Sequence, residues 1–593
     1  MQHVDPDDLI GKAYDARIAR RLFAYVLPYR PRAAFLLAAT TLVIGCELAL
    51  PWLFSRAVDV VADDGRLRTL NLIGAAAVLT LFLRFFAMWG QLYLSSWLGN
   101  RVVFDLRNDM FRHLQKLSIG YLEKRGVGAI MTRIQNDVGV INEFFADGIA
   151  KMMADMLVLV GIVVVMFLTD WQLALLAYLV LPVMAVVVIR WRRRAVETYR
   201  RTRRTIGIVN ADLAESIAGV RVVQAFSREP GKFARFTGLN RANLDASVNA
   251  ARLGAVLLPV VLLIGSIATA TVLYVGGQLV FDAKLSIGEL VLFVALIDRF
   301  FEPIRDLSQQ YTVLQATMAA GERVFEVLDV EPEIEDRPGA IPLPPVVGHV
   351  RFDHVTFGYE RTPVLHDVDL DVRPGESIAF VGETGAGKSS MINLLMRFYD
   401  VWEGAVLIDG HDVRDVTQAS LRSQMGIVLQ DTFLFGGTVR ENIRYGRQDA
   451  GDAEVETAAR EVGAHPFIVN LPDGYDTEVQ ERGALLSVGQ RQLLSFARAL
   501  LADPRILILD EATSSIDTET ERQIQAALRR LLRGRTSFVI AHRLSTIREA
   551  SKVVVMRHGR IVEVGTHDDL LGRGGYYAQL HAAQWRGEVE AAD

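Results

Sequence analysis

A single cysteine, Cys46, stands in 593 residues, so intrachain disulfides, cysteine-held zinc and iron–sulfur clusters are excluded. No repeat doubles the architecture, and the acidic residues 1–12 lack the apolar core of a signal peptide. No excess of positive charge is present either. Lys and Arg total 64 against 69 Asp and Glu, a net charge of −5, which removes the overall attraction expected of a nucleic-acid binder. Proline is scarce at 18 residues, yet Pro332, Pro338, Pro342, Pro344 and Pro345 crowd into 331–348. That composition cannot continue a helix and reads as an extended linker. It separates residues 1–330 from residues 349–593.

The N-terminal part is apolar. Hydrophobic residues make up 51% of the chain and the mean hydropathy is +0.24. Six stretches, at about 33–54, 70–99, 149–168, 173–190, 253–276 and 286–309, approach or exceed the roughly 20 residues that span a bilayer as helix. Glu47, Arg84, Lys151, Asp155, Asp298 and Arg299 interrupt them. Each would cost about 2.5–3.5 kcal/mol at the bilayer centre, so these side chains face a bundle interior, water or the interface. Segments 100–148 and 190–252 are rich in Arg, whereas Thr169-Asp170-Trp171-Gln172 carries no positive charge. The positive-inside rule therefore places the long segments and both termini in the cytoplasm. Segments of that length are expected as helix extensions rather than loops. Residues 17–30, basic and aromatic, read as an interfacial elbow helix.

The C-terminal part carries the chemistry. Gly382-Glu383-Thr384-Gly385-Ala386-Gly387-Lys388-Ser389 fits G-x-x-x-x-G-K-[ST]. Small residues let backbone N–H groups curl round phosphates, Lys388 adds a point charge and Ser389 offers Mg²⁺ a hydroxyl. The apolar run 377–381 precedes it as a strand, and Ser389, Ser390 and the apolar residues beyond recur at helical spacing. The phosphates thus meet a helix N-terminus. A second apolar run, 505–509, ends in Asp510 and Glu511, as a buried parallel strand delivers acids to the sheet edge. Asp510 is expected to hold Mg²⁺ through water and Glu511 to polarise the attacking water.

Leu486-Ser487-Val488-Gly489-Gln490 resembles the signature of ATP-binding cassette transporters. The resemblance implies an α/β P-loop nucleotide-binding domain behind a six-helix α transmembrane bundle with long cytoplasmic extensions. It implies that Tyr359 stacks on adenine, that Gln430 touches Mg²⁺ and water, and that His542 is the switch histidine near the γ-phosphate. Ser514–Asp517 resembles the loop that crosses to the opposite site. Ser487, Gly489 and Gln490 would complete the ATP site of a second cassette. Two residues depart from the family pattern: Val488 stands where glycine is usual, and so does Gln480. Residues 126–133 with Asn136 and Asp137, and residues 219–226, resemble the two coupling regions.

One cassette and six spans make a half-transporter, which needs a second chain. The intact Asp510–Glu511 pair fits a homodimer as well as the competent half of a heterodimer. The resemblance implies an exporter or flippase of a hydrophobic or amphipathic substrate in a cell membrane, driven by ATP and Mg²⁺; an ATP-gated channel or regulator on the same scaffold is the alternative. Glu47, Arg84 and Asp298 either contact cargo or pair with one another. Arg in excess of Lys and abundant Ala are associated with GC-rich bacterial genomes.

Overall fold

The computed structural model describes residues 15–63, 67–480, 483, 485–510, 518–541 and 543–584. Two compact units result, Met1–Gln115 with Gly126–Val330, and Lys116–Arg125 with Glu331–Asp593.

The first unit is helical. After the short Ala16–Ala24 helix, six long helices follow: Arg30–Ala62, Leu67–Leu114, Val127–Thr169, Trp171–Ala218, Glu229–Phe281 and Ile287–Leu328. At 1.5 Å per residue the 48-residue second helix is about 72 Å long, far more than the ~30 Å of hydrocarbon. The surplus extends beyond the hydrocarbon and carries the Arg-rich segments. Among the described residues, five helices hold an 18-residue window apolar enough to cross a membrane. The sixth does not, because Asp298, Arg299, Glu302 and Asp306 all fall within residues 298–306. Its place is set by packing on the first and third helices and by paired charge. Lys151 Nζ lies 2.8 Å from Asp306 Oδ2, and Arg299 Nη1 donates to the Glu47 carbonyl oxygen at 3.0 Å.

Helix ends are fixed by local chemistry. Asp170 alone separates the third helix from the fourth and accepts from the Leu173 N–H at 2.7 Å, an N-cap that turns the chain in one residue. Ser286 and Glu289 form a capping box at the start of the sixth helix. Asp59 of the first helix adds a second cap there, accepting from Gly288 N–H at 2.7 Å and Ser286 Oγ at 3.1 Å. A Cβ on Gly288 would strike the Ser55 carbonyl oxygen, so only glycine permits this approach. At the other end of the unit the buried Asp137 receives a two-pronged bond from Arg323, at 2.6 and 3.0 Å.

The second unit is built on a six-stranded sheet in the order Arg560–Gly565, Lys552–Arg557, Ser377–Val381, Thr536–Ile540, Ile506–Asp510, Met425–Val428. All neighbours pair in parallel except the terminal hairpin of Lys552–Arg557 and Arg560–Gly565. Side chains alternate between two cores. Ala379, Val381, Leu507, Leu509 and Val539 face one; Ile378, Phe380, Ile506, Ile508, Phe538 and Ile540 face the other. Burial on both faces is why these strands are unbroken apolar runs. A four-stranded antiparallel sheet, Thr362–Val372, Val350–Tyr359, Glu403–Ile408 and His411–Asp412, closes the second core.

The proline-rich segment is extended but not free. Gln424 accepts from Val346 N–H at 2.7 Å and donates to the carbonyls of Leu343 at 3.1 Å and Pro344 at 2.9 Å. The wholly buried Arg397 donates to the Glu335 carbonyl at 3.0 Å. These bonds seat the segment on the cassette.

Candidate nucleotide site and transport machinery

Four parallel strands carry the site to one sheet edge. Ile540 sits in register with Phe380 and with Asp510, and Val428 with Leu509. The chain therefore leaves the same edge at Gly382, at Asp510, at Leu429-Gln430 and at Ala541. Glu511, Ser514–Asp517 and His542 lie outside the described residues.

The glycine loop 382–389 is preorganised. Gly385 and Gly387 have φ of +84° and +105°, values glycine adopts without strain, and Gly387 is the N-cap of the Lys388–Leu395 helix. The first N–H groups of that helix have no intrahelical acceptor. Lys388 is buried and folds back, donating to the carbonyls of Gly382 at 2.7 Å and Glu383 at 2.9 Å. Burial lowers its pKa, opposed by the charge of Asp510. Gly559 N–H donates to the Ala386 carbonyl at 3.2 Å, so the terminal hairpin backs the loop. Ser389 is exposed, as is Gln430.

Tyr359 stands beside the loop. Its Oη is 3.1 Å from Ser390 Oγ and accepts from Asn393 Nδ2 at 3.3 Å. Its ring meets Tyr399 edge-on at 5.2 Å. The hydroxyl fixes the ring relative to the phosphate helix, leaving a half-buried face at the mouth of the site.

The signature residues lie elsewhere. Ser487 caps the Val488–Leu501 helix, exchanging bonds with Gln490 at 2.9 and 3.2 Å. This helix packs into the first core and the phosphate helix into the second, so the two occupy opposite faces of the sheet. Gly489 is closely packed: a Cβ would overlap the Thr520 methyl. Val488, by contrast, is 50% exposed at the first helical position. That position asks for no positive φ, which accounts for a β-branched residue in place of glycine.

The segment that docks with the cassette differs from expectation. It is Lys116–Arg125 that groups with the second unit, not residues 126–133. Ser118 Oγ bonds Glu333 Oε2 at 3.0 Å, Lys124 pairs with Glu360 at 3.0 Å, and a Cβ on Gly120 would press on Tyr399 Oη. A seven-residue helix, Ile119–Arg125, is too short to show a periodicity. The family resemblance points instead to residues 126–133 with Asn136 and Asp137, which group with the first unit.

The comparisons agree with this architecture. A family model for the ABC transporter transmembrane region matches residues 34–304, and the ABC transporter model matches residues 365–514. An uncharacterised ABC transporter ATP-binding protein of Bacillus subtilis (strain 168), YknV, is 42% identical over 588 residues, covering 98% of this chain and 97% of its own length.

The chain belongs to the ABC transporter family.

This ABC transporter is also 40% identical to an ATP-dependent lipid A-core flippase of Syntrophus aciditrophicus (strain SB), with 96% of this chain and 95% of that protein covered. The solved structure of a bacterial Atm1-family ABC exporter with ATP bound superposes with a TM-score of 0.76 at 33% identity, covering 94% of this chain and 98% of that one. The transporter is a multi-pass membrane protein of the exporter type whose nucleotide-binding domain hydrolyses ATP.

Proposed function

We propose that the transporter moves an amphipathic molecule, a lipid or a drug-like compound, out of the cytoplasm or the inner leaflet by alternating access. The observation that carries the reading is the convergence of Lys388, Asp510 and Gln430 on one sheet edge in a chain fused to a membrane bundle. ATP binds with adenine on Tyr359 and phosphates on Gly382–Ser390. Ser389, Gln430 and, through water, Asp510 supply oxygen donors of the kind Mg²⁺ takes. Glu511 polarises the attacking water and His542 attends the γ-phosphate.

Two ATP sites need two chains. Ser487, Gly489 and Gln490, on the far face of the sheet from Lys388, serve the cassette of a second half-transporter, identical or different. Exposed apolar residues support such a partner: Val222 and Phe226 are 62% and 73% exposed beside the Val220–Ala225 helix, and Phe433, Phe435 and Tyr445 form an exposed aromatic group on the second unit. The Arg-rich helix extensions favour a cytoplasmic cassette and cytoplasmic termini in a bacterial cell membrane. Relatives named as flippase and as multidrug exporter favour active transport over a gated channel.

A cavity of about 910 Å³ between the fourth, fifth and sixth helices is the candidate cargo site; Trp191, Asp298, Phe301, Glu302 and Tyr311 line it. Glu47 lies 3.9 Å from both Arg84 and Arg299, whereas among the described residues neither Asp298 nor Glu302 has an ion-pair partner. Asp298 is thus favoured over Glu47 as a cargo contact.

The test is Mg²⁺-ATPase activity of the purified chain in lipid nanodiscs, with particle mass and with Glu511→Gln as control. A dimer-sized particle whose turnover the substitution abolishes supports a self-sufficient motor. A monomer, or a dimer without turnover, means that a different half-transporter completes it.

A further inference from the structure

The second residue of the phosphate loop, Glu383, is an acid on the rim of a cradle built for a polyanion. A carboxylate there repels the triphosphate unless its charge is held aside. Its backbone already serves the loop: the Glu383 carbonyl accepts from Lys388 Nζ at 2.9 Å and from Ala386 N–H at 3.1 Å. Its side chain is held from a distant part of the chain. Tyr576 Oη donates to Glu383 Oε1 at 3.0 Å across 193 residues of sequence.

Tyr576 is itself fixed. It opens the Tyr576–Gln584 helix, and the Glu563 carboxylate caps that helix by accepting from Tyr576 N–H at 2.8 Å and Tyr577 N–H at 3.0 Å. A Cβ on Gly575 would press on the same carboxylate, so glycine leaves the cap room before the tyrosine. The guanidinium of Arg557 lies 4.7 Å from the Tyr576 ring centroid, bringing a positive charge to the pair. Arg557 ends the strand whose Met556 carbonyl backs Gly382. Burial and the neighbouring carboxylate raise the Tyr576 pKa, so the phenol stays protonated and able to donate.

We propose that Tyr576 is a positioning residue for ATP binding: it draws the Glu383 carboxylate onto the C-terminal hairpin, where Arg557 offsets its charge, and so keeps the phosphate cradle electropositive. Through this bond the C-terminal helix sets the affinity of the site for nucleotide. The inference rests on the reading of Gly382–Ser389 as the phosphate loop.

The experiment measures ATP KM and kcat, with melting temperature alongside, for the full chain in nanodiscs and for Tyr576→Phe, Glu383→Gln and the double variant. Removing one hydroxyl frees the carboxylate, and Tyr576→Phe is expected to raise KM about three- to tenfold with kcat within about twofold. In the Glu383→Gln background the same substitution is expected to change KM by less than about 1.5-fold, since no charge remains to be positioned. A merely structural role would lower kcat and melting temperature alike in both backgrounds. Equal KM effects in the two backgrounds, or none in either, overturn the proposal. Lys388→Ala separates the two readings: if it retains ATP binding, the phosphate-loop assignment fails rather than the role of Tyr576.

Discussion

The ammonium of Lys388 donates to the Gly382 carbonyl of its own loop at 2.7 Å. The side chain therefore occupies the cradle from within and stabilises the curled backbone. On the proposed reading of this loop, phosphate oxygens would exchange for the two carbonyls, the charge being already in place.

Lys388→Ala is expected to reduce ATP turnover about a hundredfold or more and to loosen the loop, since the Gly382 and Glu383 carbonyls lose their common donor. Steady-state ATPase assays and binding of a fluorescent ATP analogue check both effects; a variant that binds the analogue as tightly as the parent contradicts them.

Tyr359→Ala is expected to raise the ATP KM roughly tenfold, in line with about 1–3 kcal/mol for a stacked base. Tyr359→Phe keeps the ring and loses only the bonds to Ser390 and Asn393, so its effect is expected to be about twofold. Similar values for the two variants would place adenine elsewhere.

Arg397 anchors the proline-rich segment. Besides Glu335, it donates to the Val416 carbonyl at 3.1 Å and to Asp400 at 3.2 Å. Arg397→Met strands these acceptors and is expected to cost about 3 kcal/mol, lowering the melting temperature of the cassette transition by roughly 5–10 °C. Differential scanning calorimetry of the full chain reads this directly, and a shift under 1 °C would show that the segment is held by other contacts.

His567 and His581 lie together at the C-terminal helix, their rings 5.7 Å apart. Burial and then the Arg548 guanidinium lower both pKa values below the ordinary 6.5. The unfolded chain thus takes up these protons at a higher pH than the folded one. Stability is complete above about pH 6.5 and declines as pH falls below it. The melting temperature at pH 5.5 is expected below that at pH 7.5, and His567→Gln is expected to shrink the difference; an unchanged difference would assign the acid sensitivity to other groups.

Much of this was legible in local pattern. The long apolar stretches, the octet 382–389 and the acids ending the 505–509 run each obey a rule of a few residues' reach: helix length against bilayer thickness, glycine in a phosphate loop, apolar runs in a doubly covered sheet. The charge of the sixth helix was visible as well, but its partners, Lys151 for Asp306 and Glu47 for Arg299, were not. Nor was the placement of Lys116–Arg125 in the second unit, which rests on a glycine facing Tyr399, one ion pair and one hydrogen bond rather than on periodicity.

The sequence by itself determined the kind of machine: membrane bundle, linker and ATP-driven cassette, because spacing along the chain dictates helix, loop and strand. Only the tertiary structure decided which contacts tune it. Tyr576 reaches Glu383 across 193 residues, Gly489 packs closely on Thr520, and Val488 is tolerated because its side chain is exposed. Such contacts depend on how separate elements pack, and no local pattern encodes a neighbour brought near only by folding.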